Sequence, residues 1–338
     1  IPHFLIFFGA QIYLQNPMQR AIVAKVLILG TVPVIFSCFS QYLLKWHGPY
    51  DLFNGFIIWY QQPRNELYQP ITGLFNNPNY AGGWLALIFP FLINYLSQKR
   101  KEGSKTKIII VFSFSVFFIV AIGLINSRGA WLGILASIPL LFGKTVIIWL
   151  LPLLLFIFLS TLICILPNIN GPIKDLACFL IPKNIMTNFN DFNINYESIP
   201  RLMIWEKSIN LIANRPILGW GAATFPIIYF SQYGEWKGHP HNLFLELSIS
   251  YGFATSILVF TFIGIILYKT SRIISKNLVI RDYYARSWWT SVIVFLILHL
   301  FDVVYFDLRI SVIFWIFLAG LKGILNNEKV ESTKNLNA

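Results

Sequence analysis

Charge is the scarcest commodity in this chain. Charged residues make up 12% of its 338 positions, against roughly 25% in a soluble globular domain. Cysteine is rare too, with three in all: Cys38 and Cys164 inside apolar runs and Cys178 outside them. No two have the spacing of metal ligands, and an odd number argues against a disulfide framework, so cysteine is expected to carry no function. There is no Walker loop, no GxGxxG following a strand, and no Asp-x-Asp to hold a metal–nucleotide sugar. The first residues do not resemble a cleavable signal peptide. The chain opens at Ile1 inside an apolar run, and upstream helices are expected to precede it. Together these gaps exclude soluble nucleotide chemistry and a disulfide-built secreted scaffold.

What is present is hydrophobic: 56% of residues are apolar and 17% aromatic. About 20 consecutive apolar residues of helix cross a bilayer. Runs of that kind fall near 21–44, 80–97, 108–126, 129–143, 145–166, 241–268, 288–305 and 308–324, with a partial one at 1–14. The expected fold class is therefore an all-α polytopic membrane protein, a bundle of about 8–9 helices with one large extracytoplasmic loop. Residues 1–166 form the first set of helices, 167–240 the loop, 241–325 the second set and 326–338 a cytoplasmic tail.

Orientation follows from basic residues, which short cytoplasmic loops retain. Lys99, Arg100, Lys101, Lys105 and Lys107 stand in one loop, and Lys269, Arg272, Lys276, Arg281 and Arg286 in another. Placing both inside puts 45–79, the turn at Ser127-Arg128 and the segment 167–240 outside. These loops supply much of the net charge of +12, so a nucleic-acid partner is not needed to explain it.

The polar groups that remain gather at that outer edge. Arg128 lies between two apolar runs, where a snorkelling arginine reaching headgroups is the plain reading. Short outer turns are poor places for arginine, though, and ionisable groups at membrane depth are functional by default. The segment IPRLMIWEKSINLIAN has helical spacing at Leu202, Trp205, Ile209 and Ile212, so an amphipathic helix is expected near 201–214 with Arg201 at its start. Arg201 is either a solvated end or, with Arg128, half of a clamp for phosphate oxygens. Arg215 is read as a loop residue. In GHPHNLFLELSISYG, His239 and His241 flank Pro240, a residue suited to a helix start. A helix N-terminus disfavours imidazolium, so a histidine there can serve as a general base. A metal site is the weaker reading, because two histidines with no carboxylate nearby in sequence offer too few ligands. Glu246 is left open between a core ion pair and a contact to substrate. Asp302, Asp307 and Arg309 are expected to form a local ion pair. The asparagines of FNNPNYAGG (75–83) read as ordinary helix capping.

TGLFNNPNYAGGWLAL, NSRGAWLG, RLMIWEKSINLIANRPILGWGAATF, HPHNLFLELSISYG and FDVVYFDLR occur in the order found in the O-antigen ligase/polymerase superfamily. The chain resembles that superfamily from about Gly73 to Arg309, and within it looks most like the inorganic-carbon (bicarbonate) transporter branch. The resemblance implies a bacterial inner-membrane glycosyltransferase that takes a glycan from a polyprenyl-diphosphate carrier. The acceptor is a hydroxyl of a lipid, glycan or protein on the extracytoplasmic side. It implies that Arg128 and Arg201 meet the diphosphate and that His241 is the base, with no cofactor and no metal, since activation arrives on the carrier lipid. His239, Glu246, Arg215 and Asp302 are secondary candidates. A small-anion transporter and a non-catalytic envelope-assembly protein are the competing classes.

Overall fold

The computed structural model describes residues 2–61, 63, 69–143, 200–275 and 284–336, together with isolated positions between 146 and 178. It is an all-α membrane architecture of packed helices with one small hairpin. Five helices among the described residues are long and apolar enough to cross a membrane. The expected span at 145–166 and the first part of the outer loop, 167–199, lie outside the described residues, apart from isolated positions.

The chain begins with α1 (Pro2–Tyr13) and α2 (Pro17–Leu43). A two-stranded antiparallel hairpin follows, β1 (Tyr50–Leu52) and β2 (Ile57–Trp59), which the all-α expectation did not contain. Then come α3 (Pro78–Lys101), α4 (Lys105–Ile125) and α5 (Arg128–Phe142). Side-chain caps set the starts of α2, α3 and α5: Asn16, Asn77 and Ser127 each accept an amide of the first turn. α3 is the central post. It packs on α2, α4, α5 and α10 (Ala285–Leu298), and its face from Ala81 to Leu92 is almost wholly buried. α11 (Leu308–Leu336) packs on α1, α9 (Phe253–Ser275) and α10. α4 and α9 keep large apolar side chains on the outside, among them Ile109, Phe112, Phe117, Leu258 and Ile265. Such a surface suits lipid tails rather than water.

At roughly 1.5 Å per residue, the 24 residues of α3 run about 36 Å, enough to cross a bilayer. One end of α3 carries Lys99, Arg100 and Lys101. Near it, Gln98 accepts the Tyr284 hydroxyl, and Arg286 donates to the Leu141 carbonyl. The opposite end of α3 holds Asn79, which touches Ser127 and Asp302. Lys99, Arg100, Lys101 and Arg286 therefore lie at the opposite end of the bundle from the polar cluster.

The second half departs from expectation at one place. The run 241–268 is not one helix; it divides at Gly252 into α8 (Leu243–Tyr251) and α9. The cause is the preceding segment. α6 (Pro200–Asn214) is followed by a turn whose backbone lies against the end of α8. Trp220 and Gly221 donate their amides to the Ile249 and Ser250 carbonyls (2.7 and 3.0 Å), and Phe253 donates to the Pro216 carbonyl at 2.8 Å. A Cβ on Gly252 would stand 1.9 Å from the Ile217 oxygen, and its φ of +88° is one that side chains resist. Only glycine admits this approach.

α6 itself is helical, but its buried face is Ile204, Ser208 and Leu211, while Leu202 and Ile209 are exposed. The period was legible; the phase was not. A short further helix, α7 (Phe225–Tyr233), completes this cap, with Phe225 and Tyr229 packed on Ile204, Leu211 and Ile249. Cys178 is disulfide-bonded, which corrects the expectation, drawn from the odd number of cysteines, that no disulfide forms.

Candidate functional site

His241 owes its position to the loop just before α8. Asn242, rather than Pro240, caps that helix, its side chain accepting the Leu245 amide at 3.1 Å. Leu243 donates to the His299 carbonyl, and Asn242 Nδ2 to the Leu300 carbonyl, so the loop is sewn to the end of α10. On the other side, Trp205 Nε1 of α6 donates to the Pro240 carbonyl at 3.0 Å. His241 sits in the left-handed region with φ of +54°. Histidine enters that region more readily than most residues, yet it needs local support to stay there. The support is His239, whose Nδ1 accepts the His241 amide at 3.1 Å.

Asp302, in the turn between α10 and the 3-10 turn Val304–Phe306, gathers the two imidazoles. Its Oδ1 lies 3.3 Å from His241 Nδ1 and 3.4 Å from His239 Nε2, and accepts the Val303 amide at 2.8 Å. Its Oδ2 accepts Asn79 Nδ2 at 2.6 Å. The expectation of an ion pair among Asp302, Asp307 and Arg309 is thus half correct. Asp307 and Arg309 pair through two contacts, 3.0 and 2.6 Å, while Asp302 belongs to the histidines. Burial works to raise the Asp302 carboxyl, but the His241 hydrogen bond, the nearby His239 ring and the Val303 amide hold it below its usual value. It is therefore an acceptor only, and His241 must carry its proton on Nδ1. That leaves Nε2 of His241 with a free lone pair, on a side chain 33% exposed against 17% for His239.

The ligand atoms of His239, His241 and Asp302 lie within 4.8 Å of one another, close enough to consider a metal ion. The carboxylate missing from the local sequence is supplied by Asp302. The tautomer of His239 opposes the idea. Its Nδ1 lone pair is engaged by the His241 amide, so the neutral ring keeps its proton on Nε2, the atom facing Asp302. Binding metal there would require an imidazolate.

Burial lowers His239 to about 4, with Asp302 opposing and His241 and Arg201 adding to the fall. Arg201, at the start of α6, is thus within electrostatic reach of His239. Arg128 is the first residue of α5, exposed, at a helix end whose dipole already favours anions. Among the described residues no carboxylate lies within ion-pair distance of either arginine. Ser127, adjacent to Arg128, donates to Asn79 Oδ1 at 3.0 Å, so the Arg128 turn and His241 are joined by one chain of hydrogen bonds.

Residues 113–260 match the O-antigen ligase family. The matched ligase region runs from α4 into α9 and contains Arg128, Arg201 and His241, with Asn79 and Asp302 beyond its two ends. It supports the superfamily resemblance and, with it, a ligase or glycosyltransferase type of activity. The narrower likeness to inorganic-carbon transporters receives no support. No curated protein matches the chain.

Two secondary candidates stand apart from this cluster. Arg215 stacks on Trp220, 4.3 Å from its ring, and braces the turn after α6. Glu246 is buried in α8 with Oε1 accepting from Ser250, and among the described residues Oε2 has no hydrogen-bond partner and no cation pairs with the carboxylate. Sequence reasoning missed Asn79 by treating the asparagines of FNNPNYAGG as caps, and passed over Ser127 as part of the turn before Arg128. The available signal was the surplus in FNNPN, since one asparagine suffices to cap a helix.

Proposed function

We propose that the chain transfers a glycan from a polyprenyl-diphosphate carrier to an acceptor hydroxyl on the outer face of the membrane. The observation that carries this reading is His241, held by Asp302 with Nε2 free, with Arg201 in electrostatic reach of His239 and Arg128 next to Ser127 at the end of the same hydrogen-bonded chain. Among the described residues no carboxylate pairs with either arginine. His241 Nε2 takes the acceptor hydroxyl proton as that oxygen attacks the anomeric carbon. The bond from that carbon to the diphosphate oxygen breaks, and the electron pair leaves with the diphosphate. Arg128, Arg201 and the start of α5 offset the charge that grows there, an electrostatic stabilisation of the transition state. Asp302 keeps His241 in the required tautomer and steadies the imidazolium that forms.

The outer location is supported by the separation of the site from the basic loops along α3, and by the disulfide at Cys178, a bond that oxidising compartments favour. The broken helix that a transporter would use to line an ion path is filled at Gly252 by the backbone of residues 216–221.

Proteoliposomes carrying a polyprenyl-diphosphate-linked glycan test the reading. His241→Ala should lower transfer by ~10²–10⁴-fold with the helical signal by circular dichroism kept. Arg128→Ala and Arg201→Ala should weaken donor binding as well as turnover. Undiminished transfer by His241→Ala would remove the base, and anion flux with no donor present would move the protein to another class.

A further inference from the structure

Asn77 caps α3 by accepting the Asn79 amide at 2.8 Å, which leaves the Asn79 side chain free for other work. Its orientation is dictated by chemistry. An ionised carboxylate only accepts, so Asn79 Nδ2 faces Asp302 Oδ2 at 2.6 Å. The amide oxygen then faces Ser127, whose hydroxyl donates at 3.0 Å while its lone pair caps α5 by accepting the Ala130 amide at 3.4 Å. Backbone spacing enforces the same meeting. Gly82, one turn along α3, is so close to α5 that a Cβ there would lie 2.7 Å from Ser127 Cβ and 2.9 Å from Ala130 Cβ. Asn79 thus joins three segments distant in the chain: the start of α3, the start of α5 bearing Arg128, and the turn bearing Asp302.

We infer that Asn79 is a positioning residue of the transfer site, holding the Asp302–His241 pair in register with the α5 terminus that faces the diphosphate. This rests on the transfer reaction proposed above. Two of the four sides of the Asp302 carboxylate are backbone or amide contacts that do not titrate, and Asn79 is the only side-chain amide among them. Without it the carboxylate can rotate, and His241 loses the acceptor that selects its tautomer. Partners of this kind, one step removed from the reacting group, are commonly worth ~10–100-fold.

The full-length chain in lipid nanodiscs, labelled with ¹⁵N-histidine and assigned with His241→Gln, provides the test. In the wild type the His241 signals should be those of the Nδ1-protonated ring. In Asn79→Ala they should shift toward a mixture of tautomers, with kcat reduced ~10–100-fold and donor KM within about 3-fold. Asn79→Asp separates positioning from packing. A protonated aspartic acid can donate to Asp302 and accept from Ser127 as the amide does, whereas the ionised form repels Asp302. Its activity profile should therefore move toward acid, and that of Asn79→Ala should not. Ser127→Ala, which removes one bond of the chain, provides a milder variant if Asn79→Ala does not fold. Unchanged His241 signals in Asn79→Ala, or in Ser127→Ala where that variant stands in, would overturn the inference, as would identical pH profiles for the Ala and Asp variants. Absence of transfer by the wild type would count against the enzymatic reading instead, since the tautomer measurement needs no turnover.

Discussion

His239 is a neutral imidazole by virtue of burial, and this makes the site sensitive to acid. Its folded-state value near 4 lies below the 6.5 of a free histidine. Between those limits the unfolded chain binds the proton and the folded chain does not, so stability falls as pH drops from about 6.5 toward about 4. Asp302, held below its ordinary value of 3.8, extends the loss in the same direction at still lower pH. Thermal unfolding followed across this window should show a declining midpoint, equivalent to on the order of 1–3 kcal/mol. His239→Gln, which cannot take up that proton, should flatten the decline. An equal slope in the variant would mean that other groups carry the acid response. The residue scale also explains why Asp302 was misassigned from sequence. Asp302, Asp307 and Arg309 are near neighbours in the chain, and only the fold turns the first toward His241 and the second toward Arg309.

At the scale of elements, the contact that divides 241–268 is the backbone pairing between the turn after α6 and the end of α8. It holds the cap formed by α6 and α7 against the membrane bundle, and Trp205 extends it to the Pro240 carbonyl. Gly252→Ala would drive a methyl group into the Ile217 carbonyl at 1.9 Å. Unfolding in detergent should show a loss of at least about 2 kcal/mol. Gly264→Ala is the matched control within α9, since nothing lies within 4 Å of a Cβ there, and it should leave stability nearly unchanged. Equal effects of the two would indicate that the break at Gly252 is not held by this packing. The division of 241–268 escaped the sequence reading because hydropathy is continuous across it. A break of this kind is imposed by another segment.

On the scale of the whole molecule, α3 separates a basic end from the end holding Asn79 and Asp302, and the proposed reaction requires the second to face outward. Cys178 reports on that directly. In intact cells it should resist a membrane-impermeant maleimide until a membrane-impermeant reductant has been added, and should be labelled afterwards. Labelling without reduction would contradict its disulfide, and labelling only after lysis would put the loop on the wrong side. The exposed apolar sides of α4 and α9 belong to the same scale: they are a lipid boundary, not a packing defect.

Hydropathy and basic-loop asymmetry are local quantities, and they determined the class of protein, the positions of most helices and the end on which chemistry was sought. Arg128, Arg201 and His241 drew attention because a charge or an imidazole at a membrane edge is conspicuous in an apolar chain. Asn79 and Ser127 did not, because each has an ordinary local duty as a cap, and Asp302 stood only as a secondary candidate because it lies close to Asp307 and Arg309. The hydrogen-bonded chain they form exists only where three helix ends converge. Partnership between side chains some 220 positions apart, as for Asn79 and Asp302 with a sequence separation of 223, is set by how helices pack. Packing depends on close approaches such as that at Gly82, which no periodicity records.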